Sequence, residues 1–363
     1  MKIVYFIDHL RPDGAQFVLR QLVEGLAARG HNQTVICLND SWDDDLVKRL
    51  IEAGAHVRIV GKVPIISGYG LLSTFRLLHR ERFDVAVTLL FVSDVIGRTL
   101  AHFARAPRIV TSIQTHDEFY HGWQRWLERR TMPWADVVLL NSSHIKDFAI
   151  HQEGAQANRL RVIFNSINVE NYSSPMSRQA LRAELGIPYG AWLLGSVGRL
   201  THQKGFDVLL NALSGIPEAH AMIAGVGEDE PKLRQLSAQL GIGPRVHFTG
   251  YRRDIPQLLG ALDLYVHPSR YEGMPIIVLE AMAAGCGIVA TAVDGTRELI
   301  EDGVQGWLVM PDDSAALTNA IQAALCNPVE RQRRGAAAHQ RVVEKFSVES
   351  MIAAWEEVLL GRG

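Results

Sequence analysis

Short apolar runs alternate with longer amphipathic stretches along almost the whole chain. Residues 2–7, K-I-V-Y-F-I, make an apolar run of strand length that breaks at D-H-L-R-P-D-G-A-Q. It gives way to F-V-L-R-Q-L-V-E-G-L-A-A-R-G, where apolar positions recur at helical spacing until Gly30 closes the helix. H-N-Q-T-V-I-C-L reads as the next strand, D-D-D-L-V-K-R-L-I-E-A-G-A as the next helix and H-V-R-I-V as the strand after it. The alternation continues through F-D-V-A-V-T-L-L, P-R-I-V-T-S-I and A-D-V-V-L-L-N-S. Apolar strands separated by helices predict a parallel sheet covered on both faces, so residues 1–165 are expected to form a Rossmann-like domain.

R-V-I-F-N-S-I-N-V-E-N-Y followed by S-S-P-M-S carries turn residues and reads as a linker, placed at residues 166–184. The pattern then restarts with W-L-L-G-S-V-G, A-H-A-M-I-A-G, R-V-H-F-T-G, L-D-L-Y-V-H-P-S, G-I-V-A-T and W-L-V, predicting a second doubly wound α/β domain over residues 185–345. Residues 346–363 include V-E-S-M-I-A-A-W-E-E-V-L-L, a helix with one apolar stripe. Open parallel sheets bind ligands beyond the carboxyl ends of their strands, so two such domains are expected to face each other across a cleft that holds the site.

Composition narrows the function. The 363 residues are 47% hydrophobic and 21% charged, with a net charge of −2, which is ordinary for a globular protein and implies no nucleic-acid partner. The first half is slightly basic and the second slightly acidic. Cys37, Cys286 and Cys326 are far apart and form no C-x-x-C, so neither a disulfide framework nor a zinc site is indicated. The apolar run at the N-terminus is too short for a signal peptide, and no run reaches the roughly 18 residues of a membrane span. A cytoplasmic protein is expected, soluble or peripheral at the inner face of the cytoplasmic membrane.

The chemistry concentrates in H-P-S-R-Y-E-G-M-P-I-I-V-L-E-A-M-A-A-G, residues 267–285. Glu272 falls on a loop, Pro275 is placed to open a helix that ends around Gly285, and Glu280 lies just over one turn inside it. The free N–H groups of a first helical turn favour an anion. Two acceptors near such a mouth suit a ligand with hydroxyls at both ends and phosphate between. Either carboxylate also fits a solvated helix face.

Gly198-Arg199-Leu200-Thr201-His202-Gln203-Lys204-Gly205 follows a strand directly, and Arg199 and Lys204 there either grip a diphosphate or decorate a solvated loop. Asp13-Gly14-Ala15-Gln16 leads into the first helix, where Gly14 allows backbone approach to phosphate or simply makes the turn. The G-x-G-x-x-G of a dinucleotide enzyme is absent. Ala224-Gly225-Val226-Gly227-Glu228 lacks the third glycine and is acidic, which reads as a turn near the base. Phe248-Thr249-Gly250-Tyr251-Arg252 either presents backbone groups to a base or is a plain turn. His116, at the end of a strand, either donates a hydrogen bond at the site or pairs with Asp117. No D-x-D with apolar flanks occurs, so the sequence requires no divalent metal, and no G-x-S-x-G supplies a serine nucleophile.

Taken together these residues resemble the family-4 glycosyltransferases, retaining enzymes of the GT-B fold, over nearly the whole chain. E-G-M-P-I-I-V-L-E matches their E-x7-E motif, G-R-L-T-H-Q-K-G their phosphate loop, and D-G-T-R-E-L-I-E-D-G-V-Q-G-W-L-V their closing segment. The resemblance implies that Arg199 and Lys204 bind the donor diphosphate, Glu280 the ribose and Glu272 the hydroxyls of the transferred sugar. Backbone groups of Gly273, Met274 and Pro275 would line the site, with Gly250 and Tyr251 near the donor. Gly14 would approach the phosphate, His116 would match the family's active-site His, and the last helix would cross back to the first domain. The donor is then a nucleotide-diphosphate sugar and no metal is needed. The chain departs from the family at Asp13, at Asn165-Ser166-Ile167-Asn168, at Gly287 where Pro is frequent, and at Asp294, which replaces the first Gly of a pair.

The resemblance implies a hexose or N-acetylhexosamine transferase acting on a glycan or lipid-linked acceptor. A sugar-nucleotide epimerase or phosphorylase, or a non-catalytic nucleotide-sugar-binding subunit, would use a similar fold. Residues 117–134 mix three Trp with Arg125, Arg129 and Arg130, which suits either a helix packed on its own domain or a contact with an anionic membrane.

Overall fold

The computed structural model describes residues 1–114, 121–173, 176–188 and 190–362. It divides into two compact units, one of Met1–Asn165 with Val348–Gly363 and the other of Ser166–Ser347.

Among the described residues the first unit holds a seven-stranded parallel sheet. Its strands are β1 (Lys2–Ile7), β2 (Asn32–Cys37), β3 (His56–Ile59), β4 (Val85–Leu89), β5 (Arg108–Ile113), β6 (Val137–Leu140) and β7 (Leu160–Val162). Their order is β3-β2-β1-β4-β5-β6-β7, with Tyr5 in register with Val35 on one side and Val87 on the other. Helices cover both faces, so Ile3 to Ile7 are wholly buried, which is why β1 shows no polar alternation. β7 was hidden in the stretch that reads as a linker. It is a three-residue, part-exposed edge strand paired to β6, too short for a periodic signal.

The order reverses between β1 and β4, and a carboxylate of the chain itself fills the helix mouth there. Asp8, directly after β1, accepts from the N–H groups of Val92 (3.1 Å) and Ser93 (2.7 Å), at the start of helix Phe91–Phe103. Helix Val348–Leu359 belongs to this unit and buries Met351, Ile352, Trp355 and Val358. It packs on helix Gly14–Ala28 so closely that a Cβ on Gly25 would lie 2.7 Å from Ile352 Cγ1. Glu356 pins it further, accepting from Arg29 Nη1 and lying against His31 Nε2, each at 2.6 Å.

The second unit holds, among the described residues, a six-stranded parallel sheet of order β10-β9-β8-β11-β12-β13. The strands are β8 (Trp192–Val197), β9 (Ala219–Ala224), β10 (Val246–Gly250), β11 (Leu264–His267), β12 (Ile288–Thr291) and β13 (Trp307–Val309). The segment expected to be a linker packs on this unit. Residues Val169–Tyr172 form a 3-10 turn with Tyr172 buried, and Arg178 and Arg182 of helix Arg178–Leu185 both bond the buried Asp263 carboxylate. Its polar composition includes an ion pair and an inward tyrosine.

Candidate active site

In the second sheet the order reverses between β8 and β11, and the loops leaving these two neighbours carry the residues that the sequence singles out. The loop after β8 passes through Gly198 and the exposed Arg199 into a 3-10 turn, His202–Lys204, closed by Gly205 at φ 63°. A Cβ on Gly205 would sit 2.1 Å from the Pro268 carbonyl oxygen, so glycine alone lets this loop meet the one after β11. The loops are then stapled. Arg270 donates from its backbone N–H to the Gln203 carbonyl (2.8 Å), and from its guanidinium to the His202 carbonyl (2.7 Å) and both oxygens of Asp207 (2.9 and 2.7 Å). Gln203 Nε2 returns a bond to the Tyr271 carbonyl at 3.0 Å.

Within this staple Lys204 Nζ donates to Glu272 Oε1 at 2.6 Å. The same oxygen accepts from Ser269 Oγ at 2.7 Å and lies 3.2 Å from His267 Nε2, which makes no hydrogen bond of good geometry. Glu272 is only 5% exposed. Burial pushes its carboxyl up, but the Lys204 ammonium, with His267 after it, outweighs burial and holds it well below the usual carboxylate range. His267 goes the other way. Burial lowers it by more than Glu272 raises it, so the ring is neutral at neutral pH. Tyr265 stacks on that ring with centroids 6.2 Å apart and its hydroxyl 3.4 Å from Nδ1. Burial, and then the charges of Glu280 and Glu272, raise the Tyr265 phenol well above its ordinary value, so it stays a neutral hydroxyl.

The helix after this loop runs Ile276–Ala283. Pro275 stands at its N-cap in extended geometry (ψ 110°), one position outside the helix rather than opening it, and no side chain caps the first turn. Glu280 is half-buried within the helix and accepts from the Tyr172 hydroxyl at 2.6 Å. Gly273 and Met274 cross directly over helix Asp294–Leu299. A Cβ on Gly295 would lie 1.5 Å from the Gly273 carbonyl oxygen, which is why this glycine stands while its neighbour is Asp294.

The Ala224–Glu228 segment serves packing. Gly198 N–H donates to the Ala224 carbonyl and Leu200 N–H to that of Val226, each at 3.0 Å. Cβ atoms on Gly225 and Gly227 would sit 1.9 Å from Gly198 O and 2.3 Å from Leu200 O, so both glycines exist to let this loop brace the Arg199 loop. Gly250, at φ 69°, accepts from Gly225 N–H at 2.8 Å, and Tyr251 beyond it is half exposed. In the first unit Gly14 heads its helix, and its N–H donates to Asp13 Oδ1 at 2.9 Å. The Asp in the family's glycine position therefore occupies that N–H itself. His116 lies outside the described residues.

The second unit thus brings Lys204, Glu272 and the Gly273–Pro275 turn into one site, with Glu280 on the following helix. Sequence reasoning did not single out Tyr172, Tyr265, His267, Ser269 or Arg270. The last three were within the H-P-S-R-Y-E-G stretch at a strand end, which is a usable signal; Tyr172 had none.

Comparison with known proteins places this site in a family. Residues 12–171 match the model of Glycosyltransferase Family 4, and residues 177–341 that of Glycosyl transferases group 1. The lipopolysaccharide core biosynthesis glycosyltransferase LpsE of Rhizobium meliloti is 30% identical over 366 residues, covering all of both chains. The chain belongs to glycosyltransferase family 4. An Escherichia coli UDP-Gal:alpha-D-GlcNAc-diphosphoundecaprenol alpha-1,3-galactosyltransferase is 25% identical over 85% of this chain and 84% of its own. Among solved structures, HepE of Anabaena in complex with UDP and glucose superposes with a TM-score of 0.89 at 25% identity, over 99% of this chain and 100% of that one.

The turn over Gly295 yields a test in this glycosyltransferase. Gly295→Ala should cost about 1–3 kcal/mol of stability by overpacking and weaken nucleotide-sugar binding as the Gly273 carbonyl is pushed aside. Thermal melts and calorimetric titration check both; an unchanged melt with unchanged binding would show that the turn has room to spare.

Proposed function

We propose that the chain is a retaining hexosyltransferase that moves a hexose or N-acetylhexosamine from a nucleotide-diphosphate sugar to an acceptor hydroxyl during assembly of bacterial cell-surface glycan. The observation that carries this reading is the Lys204–Glu272 pair beside the uncapped start of helix Ile276–Ala283. A diphosphate seated there meets the Lys204 ammonium, the N–H groups of the first turn and the Arg199 guanidinium. Glu280 accepts from ribose hydroxyls and Glu272 from hydroxyls of the transferred sugar. LpsE is named for lipopolysaccharide core synthesis, the E. coli relative for transfer of galactose from UDP-Gal, and HepE is solved with UDP. These favour a uridine nucleotide and a cell-surface acceptor.

The barrier to reaction is charge separation as the sugar leaves its diphosphate. Preorganised cations and helix N–H groups aimed at the developing charge supply the stabilisation, and no metal is needed for it. A retaining route through a covalent intermediate needs a free carboxylate at the anomeric carbon. Glu272 is instead buried and engaged by Lys204 and Ser269, which suits binding and orientation, with the leaving phosphate helping to deprotonate the acceptor on the same face. Glu272→Gln should accordingly cut turnover, by about 100-fold, while nucleotide binding largely survives. Recovery of a sugar covalently attached to Glu272 in a rapid-quench digest would overturn this role.

A lipid-linked acceptor would be met at a membrane, and the first unit offers a surface for it. Helix Gly122–Thr131 is fixed by the buried Glu128, which pairs with the fully buried Arg98. That orientation leaves Trp123 and Trp126 about three-fifths exposed, at 60% and 61%, with Arg129 and Arg130 exposed at the helix end. Aromatic side chains beside arginines suit an anionic bilayer surface. Among the described residues no helix is long and apolar enough to cross a membrane. Liposomes rich in acidic lipid should retain the protein at low salt and lose it on Trp123→Ala with Trp126→Ala; equal recovery in the supernatant with or without liposomes would sink the idea.

A further inference from the structure

On the reading above, the Lys204 ammonium has two tasks. It neutralises a buried carboxylate at 2.6 Å, and it engages the donor diphosphate. Each phosphate oxygen that it turns toward leaves Glu272 less well compensated, and a buried carboxylate without a cation is strongly unfavourable. Two groups remain at Glu272 Oε1. Ser269 Oγ, at 2.7 Å, carries no charge; His267 Nε2, at 3.2 Å, is able to. His267 is 1% exposed, and its Nε2, 3.2 Å from Glu272 Oε1, makes no hydrogen bond of good geometry, a costly state for a buried ring nitrogen.

The charges that act on the ring are Glu272 and Lys204. Strands β8 and β12, on either side of β11, contain no titratable residue, W-L-L-G-S-V and I-V-A-T. Helix Ile276–Ala283 contributes Glu280, whose charge reaches Tyr265, and Tyr265 offers its hydroxyl 3.4 Å from Nδ1.

We propose that His267 is a positioning residue that succeeds Lys204 as the cationic partner of Glu272 when a diphosphate engages Lys204, so that nucleotide-sugar binding takes up one proton onto the imidazole. The proposal rests on the reading that Lys204 meets the diphosphate. The proton comes from solvent and no bond of the donor breaks. Once protonated, both ring nitrogens donate, Nε2 to Glu272 and Nδ1 toward Tyr265. Glu272 thereby stays fixed beneath the sugar hydroxyls while the phosphate holds Lys204.

The sign follows from the surroundings. Burial and Lys204 keep the ring neutral, whereas Glu272 favours its charge. Moving the Lys204 charge onto phosphate weakens one of the influences that oppose protonation and leaves the carboxylate dominant. The bound ring therefore takes a proton that the free ring lacks. Donor affinity then falls as pH rises, by up to about tenfold per pH unit across the window where the free ring is neutral and the bound ring charged.

Calorimetric titration of the full-length protein with UDP-glucose, then GDP-, ADP- and TDP-glucose, in buffers of one pH but different ionisation enthalpy, counts the protons exchanged. The esterified diphosphate has none to exchange near neutrality. The wild type should take up close to one proton per donor bound and bind more tightly at lower pH. His267→Gln donates from nearly the same place without titrating, and should bind with no net uptake and a flat pH profile; His267→Asn is the second variant in case Gln is not tolerated. Wild-type binding without uptake between about pH 6.5 and 8.5 overturns the role of His267 and leaves the donor site standing. Undiminished uptake in either variant does the same. Absence of binding by all four donors overturns the donor site itself.

Discussion

A carboxylate that is 5% exposed and stays ionised needs a cation at contact distance, and Lys204 at 2.6 Å is that cation for Glu272. Much of the second unit's local architecture is what it takes to place that pair. The two residues come from loops on neighbouring strands, β8 and β11, at the point where the sheet order reverses. Bringing those loops together requires glycine at 205 against the Pro268 carbonyl, and glycines 225 and 227 let the loop after β9 brace the Arg199 loop. Arg270, bonded to Asp207 and to the His202 carbonyl, locks the approach. Gly295 leaves the Gly273 carbonyl room to pass.

On the proposed reading, the same pair joins stability to catalysis. An ammonium already held by a buried carboxylate would need little reorganisation when a donor arrives. The carboxylate in turn is held by groups that cost it nothing in charge, Ser269 and the neutral His267. Glu280 is steadied separately by Tyr172, so the two carboxylates separated by seven residues of sequence are fixed by different parts of the chain. In the first unit the starts of helices Phe91–Phe103 and Gly14–Ala28 are already served by Asp8 and Asp13, carboxylates of the chain itself. The helix after Pro275 has no such cap.

The fold was legible because a parallel sheet buried on both faces writes itself as continuous apolar runs. Leu160–Val162 escaped, being a short edge strand that buries too little to leave a pattern. Glu272, Glu280, Arg199 and Lys204 stood out as candidates by residue type and strand-end position. The contacts that hold Glu272, Glu280 and Lys204 did not. Tyr172 reaches Glu280 across 108 residues of sequence, and no local pattern encodes that distance. Gly225 and Gly227 read as a turn near the base, and their part in bracing the Arg199 loop was not legible because it depends on a loop distant in sequence. Pro275 shows the limit on boundaries, since a Pro favoured in the first turn stands equally well just outside it.

We take the Lys204 ammonium, poised on Glu272, to be the diphosphate grip of a glycosyltransferase site. Thermal stabilisation by UDP-, GDP-, ADP- and TDP-sugars without added metal, in wild type and Lys204→Ala, tests it most directly, each shift taken from that protein's own melt. A ligand that binds only the folded state raises stability with the logarithm of its concentration over its dissociation constant. The account predicts a shift for one nucleotide class in wild type that is lost in the variant. The same shift in both proteins, or none for any donor, would contradict it.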